Sequence, residues 1–299
     1  MPLALAIVLL LAQTSASLAQ SIEIQGQPFT ELRTDSTKPY LHPLRLPSGK
    51  IVTRQFPMAD VAGETKDHPH HRGLWFSHGD VNGWDFWSNE KDQKGAGKGR
   101  GDIIITSSQK KGKGEIVFSA DWKSPDGVLL KEDRVMKFRG DKNTRTIDFD
   151  ITLTAQTEVK LGDTKEGTFA IRLRDELTEQ KGGAKMTNAE GASGEKLVWG
   201  KPSPWVDYVG KLDGETVGIA ILDHPTNPGH PTHWHARAYG LFAANIFGLH
   251  DFYKGEGKDG TRTLKPGEKL RFRYEVVVHN GDTAAAGIAD RYQKFSKTK

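Results

Sequence analysis

The stretch TRTIDFDITL, Thr144–Leu153, decides the fold because its apolar and polar side chains alternate strictly. Ile147, Phe149 and Ile151 fall on one face, with aspartates between them on the other. A period of two is typical of a β-strand with one buried and one solvated face, as in antiparallel sheets. The stretch therefore predicts a half-buried antiparallel strand.

The same alternation recurs on both sides of this strand. It appears in EIVFSADW (115–122), TFAIRLRDEL (168–177) and LRFRYEVVVH (270–279), with turn-forming sequences such as SPDG, KPGE and HNGD between the strands. KGGAKMTNAEGASGEK (181–196) is typical of a long surface loop. Helical periodicity is confined to residues 282–297, where Asp282 or Thr283 can cap a helix.

We therefore predict an all-β fold, a large antiparallel β-sandwich with a short C-terminal helix. Many antiparallel strands in a chain of 299 residues favour two large sheets packed face to face. A propeller is the alternative, but it requires a repeated blade pattern that we do not find in the sequence.

The first 19 residues have the pattern of an export signal. A short apolar run is followed by small and polar residues, with Ser17 and Ala19 in a cleavage-type pattern. The run is shorter than the about 20 residues of a membrane span. We predict a signal peptide over residues 1–19 and a single β-sandwich domain over residues 20–299, periplasmic or secreted in a bacterium.

Composition narrows the function classes. The chain has no cysteine, so it has no disulfides, thiolate nucleophile or cysteine-ligated metal. The net charge is only +4, and the basic patches lack interleaved aromatic residues. We therefore expect no nucleic-acid partner, and no membrane partner once the signal is cleaved.

Nine of the 11 histidines fall in two segments, residues 67–87 and 222–250. The first begins DHPHHRGLWF, and the second contains DHP followed by HWHARAYGLF. Both therefore run through Asp-His-Pro, further histidines, an arginine and then Gly-Leu with an aromatic residue. This pattern predicts two segments that converge on one cleft.

One interpretation of the histidines is a metal site. Imidazole suits zinc, copper, iron and nickel, and residues two apart on a strand share a face. No H-E-x-x-H spacing supports it. We expect that no cofactor is required, and keep a divalent metal as an alternative that implies a copper or iron oxidoreductase. Its candidate ligands are His68, His70, His71, His233 and His235.

The other interpretation is a carbohydrate site, since tryptophan rings pack on sugar C–H faces while arginine, aspartate and asparagine bind hydroxyl groups. Glu166 follows a predicted turn just before a strand, where a carboxylate can transfer protons. The candidate catalytic residues are Glu166, His70, His71 and His235. The candidate substrate-binding residues are Arg72, Trp75, His78, Asp80, Asn82, Asp85, Trp87, Asp207, Tyr208, His233, Arg237 and Asn245.

Four motifs in order carry a family resemblance: DHPHHRGLWFSHGDVNGWDFW, GDTKEGTFAIRL, WGKPSPWVDYVG and DHPTNPGHPTHWHARAYGLFAANIFG. Together they resemble a bacterial exported family labelled "methane oxygenase PmoA", over nearly all of the chain after the signal. The label implies a membrane copper monooxygenase subunit, whereas the resemblance itself implies exported proteins of unsettled function. The chain departs from the family pattern at Gly229, Ala238 and Ile246.

A looser resemblance, carried by the alternating strands and LKPGEKLRFRYEVVVHNG, is to the large β-sandwiches of the galactose-mutarotase and polysaccharide-lyase type. It implies that His and Glu exchange protons with a sugar. We predict an exported carbohydrate-active protein, an enzyme of epimerase, lyase or hydrolase type, acting on a saccharide or sugar-derived small molecule. A non-catalytic carbohydrate-binding module is a further alternative to the metal-dependent oxidoreductase.

Overall fold

The computed structural model describes residues 20–299, so the predicted signal over residues 1–19 lies outside the described residues. Within the described range the chain forms 19 strands and four short α-helices. The strands are β1 (Gln20–Ile24), β2 (Gln27–Arg33), β3 (Tyr40–Leu41), β4 (Leu74–His78), β5 (Trp84–Asp85), β6 (Gly99–Arg100), β7 (Asp102–Lys111), β8 (Glu115–Ser124), β9 (Gly127–Gly140), β10 (Thr144–Ala155), β11 (Val159–Leu161), β12 (Gly167–Arg172), β13 (Lys185–Asn188), β14 (Trp205–Leu212), β15 (Glu215–Asp223), β16 (His233–Ala236), β17 (Leu241–Asn245), β18 (Arg262–Leu264) and β19 (Lys269–Asn280). The helices are α1 (Glu179–Gly182), α2 (Glu195–Val198), α3 (Leu249–Phe252) and α4 (Ile288–Phe295).

Two large antiparallel sheets form the molecule. The eight-stranded sheet has the order β13-β14-β15-β19-β10-β9-β8-β7, and the seven-stranded sheet has the order β1-β2-β3-β4-β12-β17-β16. The stretch TRTIDFDITL lies in β10, paired on one side with β9 and on the other with β19. The prediction of a large antiparallel β-sandwich with a short C-terminal helix is confirmed.

The core lies between the two sheets and is crossed by aromatic pairs. Phe169 of β12 stacks on Tyr274 of β19 with 4.3 Å between ring centroids, and Phe76 of β4 meets Phe272 of β19 at 5.4 Å. Ile147 is fully buried beside them, as the alternation of β10 requires. Each such buried apolar side chain contributes about 1.5–3 kcal/mol relative to exposure.

Two local predictions need correction. The predicted loop 181–196 contains β13, which pairs with β14 and buries Met186, and also α2. The C-terminal helix begins only at Ile288, because Gly287 at φ +64° interrupts it and Asp282 instead caps a preceding turn at Ala285. Tertiary packing against the eight-stranded sheet decides both cases.

The helix α4 covers the outer face of the eight-stranded sheet. Ile288 and Phe295 pack there against Ala220 and Val277. In the described part of the chain no helix has the length and apolar character of a membrane span. The outer face of the seven-stranded sheet is instead covered by the loop 67–72 and by residues that precede β17, and this face carries the candidate site.

Candidate functional site

One row of side chains crosses the outer face of the seven-stranded sheet. Tyr40, Trp75, Ala170, Ala243 and His235 lie directly opposite one another on five adjacent strands. Paired residues share a face, and their neighbours along each strand point into the core instead. Two small side chains therefore lie in the middle of the row, between the indole on one side and the imidazole on the other.

Buried arginines hold the loop 67–72 over this face. Arg54 donates from Nη2 to the carbonyl of His68 and from Nη1 to the carbonyl of Asp67, each at 2.8 Å. Arg172 of β12 donates from Nη2 to the Asp67 carboxylate at 2.7 Å. Both guanidinium groups are fully buried, so the loop backbone is fixed by charge-assisted hydrogen bonds.

A stack of four rings extends outward from Trp75, which is itself a member of the row. The ring centroids are 5.4 Å apart between Tyr239 and His68, 4.8 Å between His68 and His71, and 5.4 Å between His71 and Trp75. The interplanar angles are 3°, 4° and 22° in that order. The two histidine-rich segments therefore meet at His68 and Tyr239, which form the exposed end of the stack. We call this pair the ring platform.

Cations flank the ring platform. The guanidinium carbon of Arg172 lies 4.7 Å from the Tyr239 ring centroid and that of Arg237 lies 5.4 Å from it. Arg237 is held by Glu195, which accepts from its Nε at 2.6 Å. Cation–π contacts of this kind stabilise a ring in one orientation. The platform is thus a preorganised flat surface, with the His68 side chain 43% exposed.

His235 lies beside the platform as a neutral hydrogen-bond donor. Trp199 donates from Nε1 to its Nδ1 at 2.9 Å, so in the neutral ring the proton is on Nε2. Burial, together with the charges of Arg237 and Lys165, lowers the pKa of His235 to about 3. The ring therefore stays uncharged at neutral pH.

The pKa values of the other two candidate catalytic histidines are also low. Burial, then the charge of Lys38, lowers the pKa of His70 to about 3. Burial lowers that of His71 well below its ordinary value, and Arg172 donates to its Nδ1 at 3.2 Å. We expected these histidines to act as acids or ligands. Burial disfavours the charged form of these rings at neutral pH, so their positions favour neutral donor or acceptor roles, and their assignment as catalytic residues stays a prediction.

Glu166 lies at the end of the same face, immediately before β12. Its carboxylate is 3.2 Å from the Nζ of Lys165, and the side chain is 35% exposed. Burial raises the pKa of Tyr239 to about 12; Arg172 and Arg237 oppose the rise, and the charge of Glu166 adds to it. The carboxylate thus lies within electrostatic reach of the platform.

Asn245 positions the loop that carries Glu166. Its Nδ2 donates to the carbonyl of Thr164 at 3.0 Å, and its Oδ1 accepts from the amide of Phe247 at 2.7 Å. His233 lies opposite Asn245 in the sheet and its Nε2 is 3.0 Å from the hydroxyl of Tyr253. These two candidates lie on the site face, but their polar groups already have protein partners.

Several predicted substrate-binding residues lie away from the platform. Arg72 turns to the other side of the loop and forms a bidentate pair with Glu90 at 2.7 and 2.8 Å. His78 points into the core, where its Nε2 is 2.9 Å from the carbonyl of Gly162. Asp85 is buried and accepts the backbone amide of Trp87 at 2.7 Å. Backbone alternation and local turns explain these positions.

Asp80, Asn82, Asp207 and Tyr208 are likewise engaged in the fold. The first two accept backbone N–H groups, of Gly83 at 2.8 Å and of Lys160 at 2.6 Å respectively. Asp207 lies in the other sheet and contacts the His279 ring at 3.0 Å. Tyr208 faces the core and donates to the carbonyl of Arg237 at 3.2 Å. The prediction that these four contact substrate is not supported by their positions.

The five histidines proposed as metal ligands do not form one set. His68, His70 and His71 contact each other, with ring centroids 4.4 to 5.7 Å apart. His233 instead contacts Tyr253, and the Nδ1 of His235 accepts from Trp199. Among residues 20–299, no group of three or more His, Cys, Asp or Glu side chains is arranged to hold a metal ion.

Sequence reasoning missed Tyr239, Arg54 and the role of Trp199. Tyr239 follows HWHARA in the second segment, so its place beside the histidines was the available signal. Arg54 stands in the plain stretch IVTRQF, which offers no signal that it reaches the loop 67–72. Trp199 opens the motif WGKPSPWVDYVG, in which nothing indicates a hydrogen bond to His235.

Comparisons with known proteins identify the family to which the chain belongs. A family model described as "Family of unknown function (DUF6807)" matches residues 19–293. That description carries no activity, so the label "methane oxygenase PmoA" stays a prediction. No curated protein sequence matches the chain significantly.

Solved structures that the chain resembles include galactose-mutarotase-like proteins. A galactose mutarotase related enzyme from Lactobacillus acidophilus is 11% identical, with a TM-score of 0.39, over 88% of this chain and 97% of that one. A galactose mutarotase-like protein from Lactobacillus casei is 10% identical, with a TM-score of 0.43, over 87% and 100%. An alpha-galactosidase from Geobacillus stearothermophilus, in complex with raffinose, is 11% identical, with a TM-score of 0.41, over 88% and 40%.

Proposed function

The chain belongs to the DUF6807 family of unknown function, and we propose that it is an exported carbohydrate-active enzyme that binds a saccharide on the outer face of the seven-stranded sheet. The observation that carries the proposal is the ring platform, His68 and Tyr239, flanked by Arg237, with Glu166 immediately before β12 of the same sheet. Flat rings pack against the C–H faces of sugars, and charged groups bind their hydroxyls.

The platform is suited to binding because it is rigid before any ligand arrives. Its rings are stacked on buried His71 and Trp75, and the loop that carries His68 is held by Arg54. Rigid contact surfaces bind more tightly because less conformational entropy is lost on binding. Arg237 is 33% exposed and already oriented by Glu195, so its free N–H groups can donate to a sugar oxygen.

Glu166 and His235 supply the chemistry in this proposal. The Glu166 carboxylate accepts a proton from a C–H or O–H group of the sugar. The Nε2–H of neutral His235 donates a hydrogen bond to the oxygen on which negative charge develops. If a water molecule then protonates the carbon on its opposite face and Glu166 releases its proton to solvent, the result is epimerisation. If instead a group leaves from the neighbouring carbon and takes the proton from Glu166, the result is elimination.

A non-catalytic carbohydrate-binding module is the second candidate, because the ring platform alone suffices for binding. The role of Glu166 distinguishes the two candidate functions, because an enzyme of this kind needs a proton acceptor and a binding module does not. No position of the histidines favours a metal-dependent oxidoreductase over these two functions. Export through a signal over residues 1–19 and a single domain over residues 20–299 are part of the proposal.

A saccharide panel in deuterated water tests the proposal. Neutral sugars, amino sugars and uronic acids are incubated with the protein, and deuterium incorporation and new products are followed by NMR and mass spectrometry. We expect exchange or turnover with one class, and at least about a 100-fold loss in Glu166→Gln with binding retained. Glu23→Gln, at an exposed position on β1, is the matched control.

The outcomes separate the candidates. If Glu166→Gln binds and turns over as the parent does, the catalytic assignment is wrong. If a sugar binds and no exchange or product is found, the binding module replaces the enzyme. If no saccharide at millimolar concentration changes the melting temperature, the carbohydrate function itself is refuted.

A further inference from the structure

Beneath the ring platform lie three buried N–H donors without a protein acceptor. Within residues 20–299, the Nε2 of His71 and the Nε1 atoms of Trp75 and Trp87 have no hydrogen-bond partner. The three residues are 1%, 0% and 0% exposed. Leaving a buried N–H unpaired costs about 1–3 kcal/mol, so three in one place call for an explanation.

The three donors belong to rings that touch one another. The ring centroid of His71 lies 5.4 Å from that of Trp75 and 5.9 Å from that of Trp87, and the two indoles are 5.0 Å apart. The two indoles are tilted by 53°, and the imidazole meets the ring of Trp87 edge to face at 74°. The rings that carry the three unpaired donors therefore form one packed cluster.

The cluster offers donors but no acceptors. Indole nitrogen donates only, and the Nδ1 of His71 is already occupied by Arg172, so its Nε2 carries the proton. The Nε of Arg172 is a further buried donor with no partner in the described chain. A water molecule here would find acceptors for its own hydrogens only outside the cluster, whereas an anion needs none.

The surrounding charge also favours an anion. Two buried guanidinium groups, those of Arg54 and Arg172, share the single carboxylate of Asp67. On the other side of the cluster the Nζ of buried Lys38 donates to the carbonyl of Trp87 at 2.8 Å. Burial lowers the pKa of Lys38 to about 7 and the carboxylates of Glu90 and Asp85 oppose this shift, so the excess positive charge comes from the two guanidinium groups. The three donor residues are at most 1% exposed, so an occupant bound to them lies out of contact with solvent.

We propose that His71, Trp75 and Trp87 bind a chloride-sized monovalent anion beneath the ring platform. The anion satisfies the unpaired N–H groups and offsets the excess positive charge of the buried guanidinium groups. It fixes the ring of His71, on which His68 stacks, and so stabilises the platform. This binding site is independent of whether the platform takes a saccharide.

Bromide and chloride test the proposal on the full chain. Crystals grown with sodium bromide are measured at the bromine absorption edge, and melting temperature is titrated with sodium chloride against sodium gluconate at equal ionic strength. We expect an anomalous peak in contact with at least two of the three N–H groups. We also expect a saturable rise of the melting temperature with chloride, as ligand binding to the folded state requires.

Trp87→Phe keeps an aromatic ring and removes one donor. We expect at least a tenfold increase in the chloride concentration that gives the half-maximal rise. Trp84→Phe, which removes an indole N–H bonded to Asp126 at the surface, is the control and leaves that concentration unchanged. If Trp87→Phe does not fold, the bromide crystal of the parent decides. An ordered water in place of bromide, or equal melting temperatures in chloride and gluconate, would overturn the proposal.

Discussion

The two outer faces of the sandwich are built on the same alternation but treat their polar groups differently. On the eight-stranded sheet, charges pair across strands: Arg139 contacts Asp148 and Glu275, and Arg271 donates to Asp150 at 2.8 Å. On the seven-stranded sheet, rings and small side chains surround N–H donors that have no acceptor in residues 20–299. The first face pairs its charged groups within the fold, and the second leaves some N–H groups without a protein partner.

The two outer faces also differ in the segments that cover them. Helix α4 covers part of the face of the eight-stranded sheet. A groove of about 850 Å³ lies between the helix and the sheet, and its lining includes ion-paired residues. The second is covered by the loop 67–72, which buried arginines hold in place. On the face of the eight-stranded sheet, each ion pair contributes only a small amount to the free energy of unfolding. A face of stacked rings concentrates both stability and function in a few residues, and four predictions follow from this contrast.

The largest effect is expected from Trp75→Ala. The indole is fully buried and contacts His71 and Trp87, so its loss leaves a cavity below the platform. We expect the free energy of unfolding to fall by about 3–5 kcal/mol, measured by urea denaturation. Trp75→Phe, which keeps a ring, should lose less than half of this amount. A loss of under about 1 kcal/mol in Trp75→Ala would contradict the role given to the stack.

Acid should destabilise the site face next most strongly. The pKa of His235 falls from an ordinary 6.5 to about 3 on folding, mainly through burial. Between these values the unfolded chain binds the extra proton, so stability falls as pH falls from 6.5 towards 3. We expect about 1.4 kcal/mol per pH unit from each such histidine, read from denaturation midpoints at pH 7, 6 and 5.

His235→Gln isolates this contribution. Glutamine can still accept from Trp199 but does not titrate, so the variant should show a shallower pH dependence, by about one proton. An unchanged slope would mean that His235 is not held neutral by the fold.

Tyr239→Ala should weaken ligand binding by about tenfold, or 1.4 kcal/mol, because it removes half of the ring platform. Affinity for the saccharide that binds in the panel is measured by calorimetry. Tyr292→Ala, on α4 over the other face, is the matched control and should leave the affinity unchanged. If Tyr239→Ala and Tyr292→Ala weaken the affinity equally, the ligand does not bind at the ring platform.

The smallest effect is expected from Arg271→Ala on the eight-stranded sheet. Its pair with Asp150 is about half exposed, at 53% and 38% for the two side chains. Such pairs contribute at most about 1 kcal/mol, and salt screens them. We expect a loss of under about 1 kcal/mol in urea denaturation, decreasing further in high salt. A loss comparable to that of Trp75→Ala would remove the contrast between the faces.

The fold was predictable because its signal is local. Alternation in TRTIDFDITL placed Ile147 and Phe149 in the core, and a turn followed by alternation placed Glu166 just before β12. The start of the C-terminal helix was not predictable from the sequence. Gly287, in a left-handed conformation, and packing against the sheet decide where α4 begins.

The candidate site was predictable only in part, because it depends on contacts distant in sequence. The two histidine-rich segments do approach each other, through His68 and Tyr239, whereas Arg72 and His233 contact Glu90 and Tyr253. Arg72 is adjacent to His71, yet the turn at Gly73, with φ +50°, directs its side chain to Glu90. The low pKa of His235 comes from burial, which no local pattern reveals.

Ala170 and Ala243 have a consequence for the evolution of the family. They lie side by side on the adjacent strands β12 and β17, and Tyr239 packs against the group of buried residues that contains them. Their small side chains therefore leave room on this face for Tyr239, one of the two rings of the platform. Among related chains, we expect these two positions to record changes of ligand, while the aromatic pairs of the core record only the need to fold.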